Sequence, residues 1–151
     1  MEITAEAVKA LRDKTGVSVM ECKKALVEAQ GDMSKALVIL GERSAAAAAK
    51  KQDRALGAGT VGAYVHSTNQ IGAMVALSCE TDFVAKNAEF VALARDIAMH
   101  ISAMMPETKE ELLTQPFVKD PSKTIADLIS SAVQKFGERV DVTAYSRVAI
   151  G

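Results

Sequence analysis

The sequence predicts an α+β fold: a three-helix module, then a domain built on a three-stranded antiparallel sheet packed with helices. Residues 1–43 carry short apolar stripes at helical spacing between helix caps. Residues 57–79 mix glycines with β-branched residues, and residues 140–148 alternate apolar and polar side chains, as strands do. We therefore expect a helical domain at 1–43, a linker at 44–56 and an α+β core domain at 57–151.

The helical module begins and ends its helices with recognisable caps. Thr4 can cap the first helix, Gly16 can end it, and Asp32 can cap the third. Ser18 and Glu21 have the spacing of a capping box, in which the Ser18 hydroxyl accepts from the Glu21 amide and the Glu21 carboxylate accepts from the Ser18 amide. The stretch that follows has five alanines at 45–49, which predicts a helical or frayed linker.

The core domain opens with a predicted hairpin. Its strands span Thr60–His66 and Ala73–Cys79 and are joined through Ser67–Gln70. A sheet with one buried face needs apolar residues at every second position. We expect the buried set to be Val61, Ala63, Val65, Val75, Leu77 and Cys79.

The rest of the core reads as helices and a closing strand. A helix from about Asn87 has one apolar stripe, Thr108 can open a short helix, and a last helix spans Ser122–Phe136 before Gly137 stops it. The final strand is expected to pair with the hairpin. Its inward residues are expected to be Val140, Val142, Ala144 and Val148.

Composition excludes several classes of function. Only 4% of the residues are aromatic and Trp is absent, which leaves little material for base stacking, and a net charge of −1 argues against binding a phosphate backbone. No apolar run is long enough to cross a membrane and no leader precedes the first helix, so we expect a cytoplasmic protein. Cys22 and Cys79 fit no disulfide or metal motif and are expected to be buried thiols.

The residues offer no plausible catalyst. His66 and His100 lie in ordinary strand and helix contexts, and no phosphate loop, dinucleotide fingerprint or calcium loop is present. We expect no enzymatic activity, no cofactor and no metal site. An enzyme that uses Cys79 is the least favoured hypothesis, behind the two binding functions described below.

Two surfaces are candidates for binding a protein partner. Lys9, Arg12, Val19 and Met20 surround the loop that joins the first two helices, although ordinary packing under that loop would also explain them. Phe83 follows Asp82 at a strand-to-helix junction and does not continue the apolar stripe of the next helix. The alternative for Phe83 is a cap over the hairpin core.

The motifs at these two surfaces resemble those of a known family. Leu11–Val17, Met20–Leu26 and the pair Gly31–Asp32 look like the N-terminal signature of bacterial elongation factor Ts. Glu80–Asn87 is similar to the family's second signature, and Phe136–Arg147 resembles its closing strand. The resemblance covers essentially the whole chain.

The resemblance implies a nucleotide exchange factor for elongation factor Tu. Such a factor would bind elongation factor Tu in both the GDP-bound and the nucleotide-free state, and it would make no direct contact with nucleic acid. Residues 1–43 would form a ubiquitin-associated-type domain that docks on the partner's GTPase domain. Its contacts would be Lys9, Arg12, Val19 and Met20. A second set would displace magnesium, which belongs to the partner, from the nucleotide site: Thr81, Asp82, Phe83 and Val84.

The chain also departs from the family pattern. Longer members carry a second core subdomain and a helical-hairpin insertion, and this chain has room for neither; because other short members form homodimers, a second copy supplying the missing half is a hypothesis. Arg139 stands where the family commonly has Asn. The main rival function is a non-enzymatic adaptor, in which a ubiquitin-associated-like module is joined to an unrelated α+β domain.

Overall fold

The computed structural model describes residues 2–151, and within that range it contains seven helices and five strands. The helices are α1 (Ala5–Thr15), α2 (Val19–Glu28), α3 (Met33–Lys50), α4 (Asp82–Ala85), α5 (Ala88–Met104), α6 (Lys109–Thr114) and α7 (Ile125–Phe136). The strands are β1 (Ala58–Val65), β2 (Ile71–Cys79), β3 (Pro116–Phe117), β4 (Asp120–Thr124) and β5 (Asp141–Ala149). This order confirms the predicted α+β fold.

The helical module forms where its caps predict. The Thr4 side chain accepts from the Ala7 amide, and Gly16 ends α1 with a left-handed φ of 71°. Ser18 accepts from the Glu21 amide at 3.3 Å. The small core of the module consists of Val8, Leu11, Val17, Cys22, Ala25, Leu26, Ala29, Ala36 and Leu40.

The return half of the predicted capping box is wrong. The Glu21 carboxylate pairs with Lys24 and Arg43 instead of accepting from the Ser18 amide. Arg43 lies on α3 and also contacts Glu28. Glu21 therefore ties α2 to α3.

Helix α3 joins the module to the core domain. It continues through the alanine run to Lys50, and α3 and α7 pack against each other. Ser44 is buried, and its hydroxyl donates to the Gln134 side chain of α7. Lys51, just after α3, donates to the carbonyl oxygen of Gly137 at 3.2 Å.

The main sheet has the order β1-β2-β5 and is antiparallel throughout. The predicted buried face of β2 is confirmed, but that of β1 is wrong: Val61 and Val65 are 66% and 64% exposed, while Gly62 is buried opposite Val75. Helix α5 is the reason. At Gly62 a side chain would begin only 2.5 Å from the carbonyl carbon of Ala94, so the face that contains this glycine turns inward and the valines face out.

A β-bulge changes which residues of β5 face inward. Leu77 pairs with Val142 but Ala76 pairs with Ala144, which leaves Thr143 as the extra residue. The alternation therefore reverses after Val142. Val140 and Val142 are buried as predicted, whereas the inward prediction for Ala144 and Val148 is wrong because both are exposed.

The last helix starts later than predicted. Ser122 belongs to β4, which pairs with β3 in a small second sheet that the sequence did not predict. Thr124 caps α7 in a capping box with Asp127. The apolar stripe of α7 begins at Ile125, directly after this cap.

The large core lies between the main sheet and α5, α6 and α7. Its largest fully buried side chains include those of Phe90, Leu77, Ile97, Ile101 and Leu112. No helix formed by residues 2–151 combines the length and apolar character needed to cross a membrane.

Candidate functional site

The segment after β2 presents two side chains on a short turn of helix. Thr81 caps α4, and its hydroxyl accepts from the Val84 amide at 3.4 Å. Val84 and Ala85 are buried against the core. Asp82 and Phe83 form the first turn and lie on the surface.

The Phe83 ring has little contact with the rest of the described chain. Its side chain is 86% exposed, the highest value among the exposed large apolar residues of residues 2–151. The alternative that Phe83 caps the hairpin core is therefore wrong. Fully burying such a side chain would contribute about 1.5–3 kcal/mol, which is available to a partner that covers it.

The loop that carries these residues is held by a side chain from the connection between α7 and β5. The Glu138 carboxylate accepts from the amides of Glu80 and Thr81, both at 3.0 Å, and from the Thr81 hydroxyl at 2.7 Å. Sequence reasoning missed Glu138 and Glu80. The two segments are more than 50 residues apart in the chain, and no local pattern links them.

The N-terminal candidates all lie at the surface of the helical module. Lys9, Arg12, Val19 and Met20 are all exposed, with Val19 and Met20 at 52% and 67%. These two residues begin α2, directly after the Ser18 cap. The small core of the module does not account for them, so ordinary packing under the loop is wrong for the two apolar side chains.

Lys135 lies between the α1–α2 loop and the start of α5. Its ammonium group pairs with Glu89 in the first turn of α5 and lies 3.4 Å from where a side chain at Gly16 would begin. Burial and then the nearby Arg12 guanidinium lower the pKa of Lys135. The α1–α2 loop therefore lies beside the start of α5, six residues after Phe83.

The thiol of Cys79 is not set up for chemistry. Cys79 is fully buried and donates to the Thr81 carbonyl oxygen at 3.3 Å. Burial, followed by the Glu138 charge, raises the pKa of this thiol and so disfavours the reactive thiolate. Cys22 is also a buried free thiol, as predicted.

The histidines are engaged in structural hydrogen bonds. Buried His100 bonds to the Gln115 side chain and accepts from the Val118 amide, while His66 bonds to the Tyr64 hydroxyl. Across residues 2–151, no cluster of three or more His, Cys, Asp or Glu side chains could hold a metal ion. The arrangement is suited to binding a protein through exposed side chains.

Comparison with known proteins identifies the family. The family model described as elongation factor TS matches residues 1–111 and 80–151, which together span the chain. The chain belongs to the elongation factor Ts family. It is thus a translation elongation factor, and both candidate surfaces lie within the matched residues.

Individual elongation factor Ts proteins align with almost the full length of this chain. The protein of Desulforamulus reducens is 40% identical over 195 residues, covering 99% of this chain and 90% of the relative. That of Acetivibrio thermocellus is 39% identical, with the same coverage. These alignments are longer than the 151-residue chain, so these relatives contain residues with no counterpart here.

A longer elongation factor Ts from Clostridium kluyveri is 42% identical over 148 residues. The match covers 98% of this chain but only 48% of that relative. About half of this longer relative therefore has no counterpart in the present chain.

Proposed function

We propose that this chain binds elongation factor Tu in its GDP-bound form and promotes release of GDP by disturbing the magnesium and phosphate site. The observation that supports this most directly is the 86% exposed Phe83 beside Asp82, on a turn that is held in place from below. Thr81, Asp82 and Phe83 would enter the partner's site, with Val84 buried beneath them. The chain itself would need no cofactor and would act in the cytoplasm, where translation takes place.

Thermodynamic linkage defines what this activity requires. If the chain weakens the partner's hold on GDP by some factor, GDP must weaken the chain's hold on the partner by the same factor. A thousandfold weakening needs about 4 kcal/mol of coupling, more than the roughly 1.5–3 kcal/mol that burial of Phe83 contributes. Contacts by the helical module must supply part of the remainder.

The helical module supports that second contact. Lys9, Arg12, Val19 and Met20 combine charge with exposed apolar surface, a composition that suits docking on another protein. We assign them to the GTPase domain of elongation factor Tu. This interface would hold the two proteins together while Phe83 acts on the nucleotide site.

The deciding experiment is release of labelled GDP from elongation factor Tu, with and without this chain. The wild-type chain should accelerate release, and the Asp82→Ala, Phe83→Ala double variant should lose most of the acceleration while it keeps its fold. Val27→Ala is the matched control, because Val27 is also exposed but lies in the last turn of α2, outside the Thr81–Val84 segment. A double variant as fast as wild type would contradict the proposal.

The same experiment separates the proposal from its rival. An adaptor with a ubiquitin-associated-like module would bind its partner through residues 1–43 alone, and the double substitution would leave that binding unchanged. If the chain were such an adaptor, the wild-type chain would also fail to accelerate GDP release. The rival also requires an unrelated α+β domain, whereas the elongation factor TS model matches residues 80–151 of this domain.

A homodimer is the proposed quaternary state. The outer face of the main sheet has apolar side chains on all three strands and is uncovered: Val61, Val65, Met74 and Val148 are 56–68% exposed. The curated relatives carry additional residues that this chain lacks. A second copy that packs face to face would cover this surface, at the spacing of about 10 Å that stacked sheets adopt.

A further inference from the structure

Helix α4 cannot hold its own position. It has four residues, Asp82–Ala85, and a helix this short is not stable without external contacts. Val84 and Ala85 anchor its inner side, but Asp82 and Phe83 face solvent. The direction in which Phe83 points therefore depends on how the start of the helix is fixed.

Glu138 fixes that start through three hydrogen bonds. One carboxylate oxygen accepts from the amides of Glu80 and Thr81, and the other accepts from the Thr81 hydroxyl. A carboxylate that satisfies two adjacent backbone amides allows the backbone little freedom to rotate. The peptide that leads into Asp82 is thereby fixed in direction.

The hydroxyl of Thr81 passes this constraint on to the helix. Because its proton is donated to Glu138, its lone pairs face the Val84 amide, from which it accepts at 3.4 Å. The two bonds form a short chain from Glu138 through Thr81 to Val84. Loss of the Glu138 carboxylate would free the Thr81 side chain to rotate and would weaken the cap.

The constraint is reciprocal. The Glu80 carboxylate accepts from the Arg139 amide and pairs with the Arg54 guanidinium at 3.6 Å, so each segment holds the backbone of the other. Glu138 itself follows Gly137, which ends α7 in the left-handed conformation, and precedes buried Val140. These neighbours constrain the backbone that carries Glu138.

We propose that Glu138 is a positioning residue for nucleotide exchange, which holds Thr81 and the first turn of α4 so that Asp82 and Phe83 meet the partner's nucleotide site preorganised. The role rests on the proposed function. It differs from partner contact, because Glu138 acts by holding Thr81 and not by touching the partner's nucleotide site itself. Preorganisation of this kind affects the exchange step more than encounter with the partner.

The test separates maximal rate from affinity. GDP release from elongation factor Tu is measured against chain concentration for Glu138→Ala, Glu138→Gln and Thr81→Val. We expect Glu138→Ala to lower the maximal rate about tenfold, the factor that one charge-assisted hydrogen bond typically contributes, and to change the half-saturating concentration less than about threefold. Glu138→Gln keeps an acceptor for the two amides and should recover most of the rate.

A double variant tests the chain of bonds. If Glu138 acts in part through Thr81, the loss of rate in Glu138→Ala combined with Thr81→Val should be smaller than the product of the two single losses. Effects that multiply would overturn the proposal, as would a wild-type maximal rate for Glu138→Ala. Glu42→Gln is the matched control: it removes one carboxylate from the exposed face of α3 and should leave both kinetic parameters unchanged.

A second measurement does not depend on the partner. In the free chain, amide hydrogen exchange at Glu80, Thr81 and Val84 should accelerate at least about tenfold in Glu138→Ala and stay near wild type in Glu42→Gln. Unchanged exchange at these amides would overturn the positioning role. If they accelerate while the wild-type chain fails to release GDP, the proposed function fails and the structural role of Glu138 stands.

Discussion

Gly62 and Ala94 bring β1 and α5 into backbone contact: a methyl group at residue 62 would lie 2.5 Å from the carbonyl carbon of Ala94. We expect Gly62→Ala to lower the free energy of unfolding by about 1–3 kcal/mol, because strand and helix must separate to admit the methyl group. Urea titration measures this free energy of unfolding. Gly41→Ala is the control; it lies in α3 with open space around it and should stabilise by about 0.5–1 kcal/mol. Equal effects would contradict the close contact.

His100 should make the stability of the fold depend on pH. Burial lowers the pKa of this imidazole below its usual 6.5, and its Nδ1 must stay unprotonated to accept from Val118. Below pH 6.5 the unfolded chain binds a proton that the folded chain does not, so the free energy of unfolding falls as pH falls. The slope should approach about 1.4 kcal/mol per pH unit until the folded-state pKa is reached.

Urea titrations at pH 7.5, 6.5 and 5.5 measure this slope. His100→Asn should flatten it, at the cost of a lower stability at pH 7.5, since the buried hydrogen bonds are disturbed. His66→Gln is the control, because it replaces an exposed histidine. A slope that survives in His100→Asn would assign the proton uptake to other groups.

The helical module should control affinity for elongation factor Tu. Arg12→Ala and Met20→Ala each remove an exposed side chain of the proposed interface, so each should raise the half-saturating concentration for GDP release about five- to tenfold. The maximal rate should change little, because Phe83 remains in place. Val27→Ala, on the same helix as Met20, should behave as wild type. A lower maximal rate at unchanged half-saturation would contradict the assigned roles.

The outer face of the main sheet should set the oligomeric state. Val61→Asp or Val148→Asp places a charge on an edge strand of this face, so either should convert the proposed dimer to a monomer, because burying an unpaired charge is costly. Sedimentation equilibrium at micromolar concentrations measures the mass. Val27→Asp introduces the same charge on α2 and should stay dimeric. A monomeric wild-type chain would rule out the homodimer.

Local signals in the sequence predicted what local interactions determine. The caps at Thr4, Asp32 and Thr108 form because each side chain bonds to an amide three residues ahead, and that spacing is visible in the chain. The exposed turn at Phe83 was predictable for a similar reason: the residue breaks the apolar stripe of its neighbours.

Contacts between distant segments could not be predicted in this way. The inward face of β1 depends on the approach of α5 to Gly62, and the orientation of Ala144 depends on a bulge opposite β2. The hold of Glu138 on Thr81 likewise requires the end of α7 to meet the end of β2. In each case the deciding partner lies tens of residues away.

The alanine run inside α3 carries a geometric consequence. Residues 45–49 form part of one continuous helix that packs on α7 and extends from the small core of the module toward the sheet. Each residue of an α-helix adds about 100° of rotation and about 1.5 Å of rise. Inserting or deleting a single alanine would therefore swing Met20 around the helix axis relative to Phe83, so the length of this run sets the angle at which one partner can meet both.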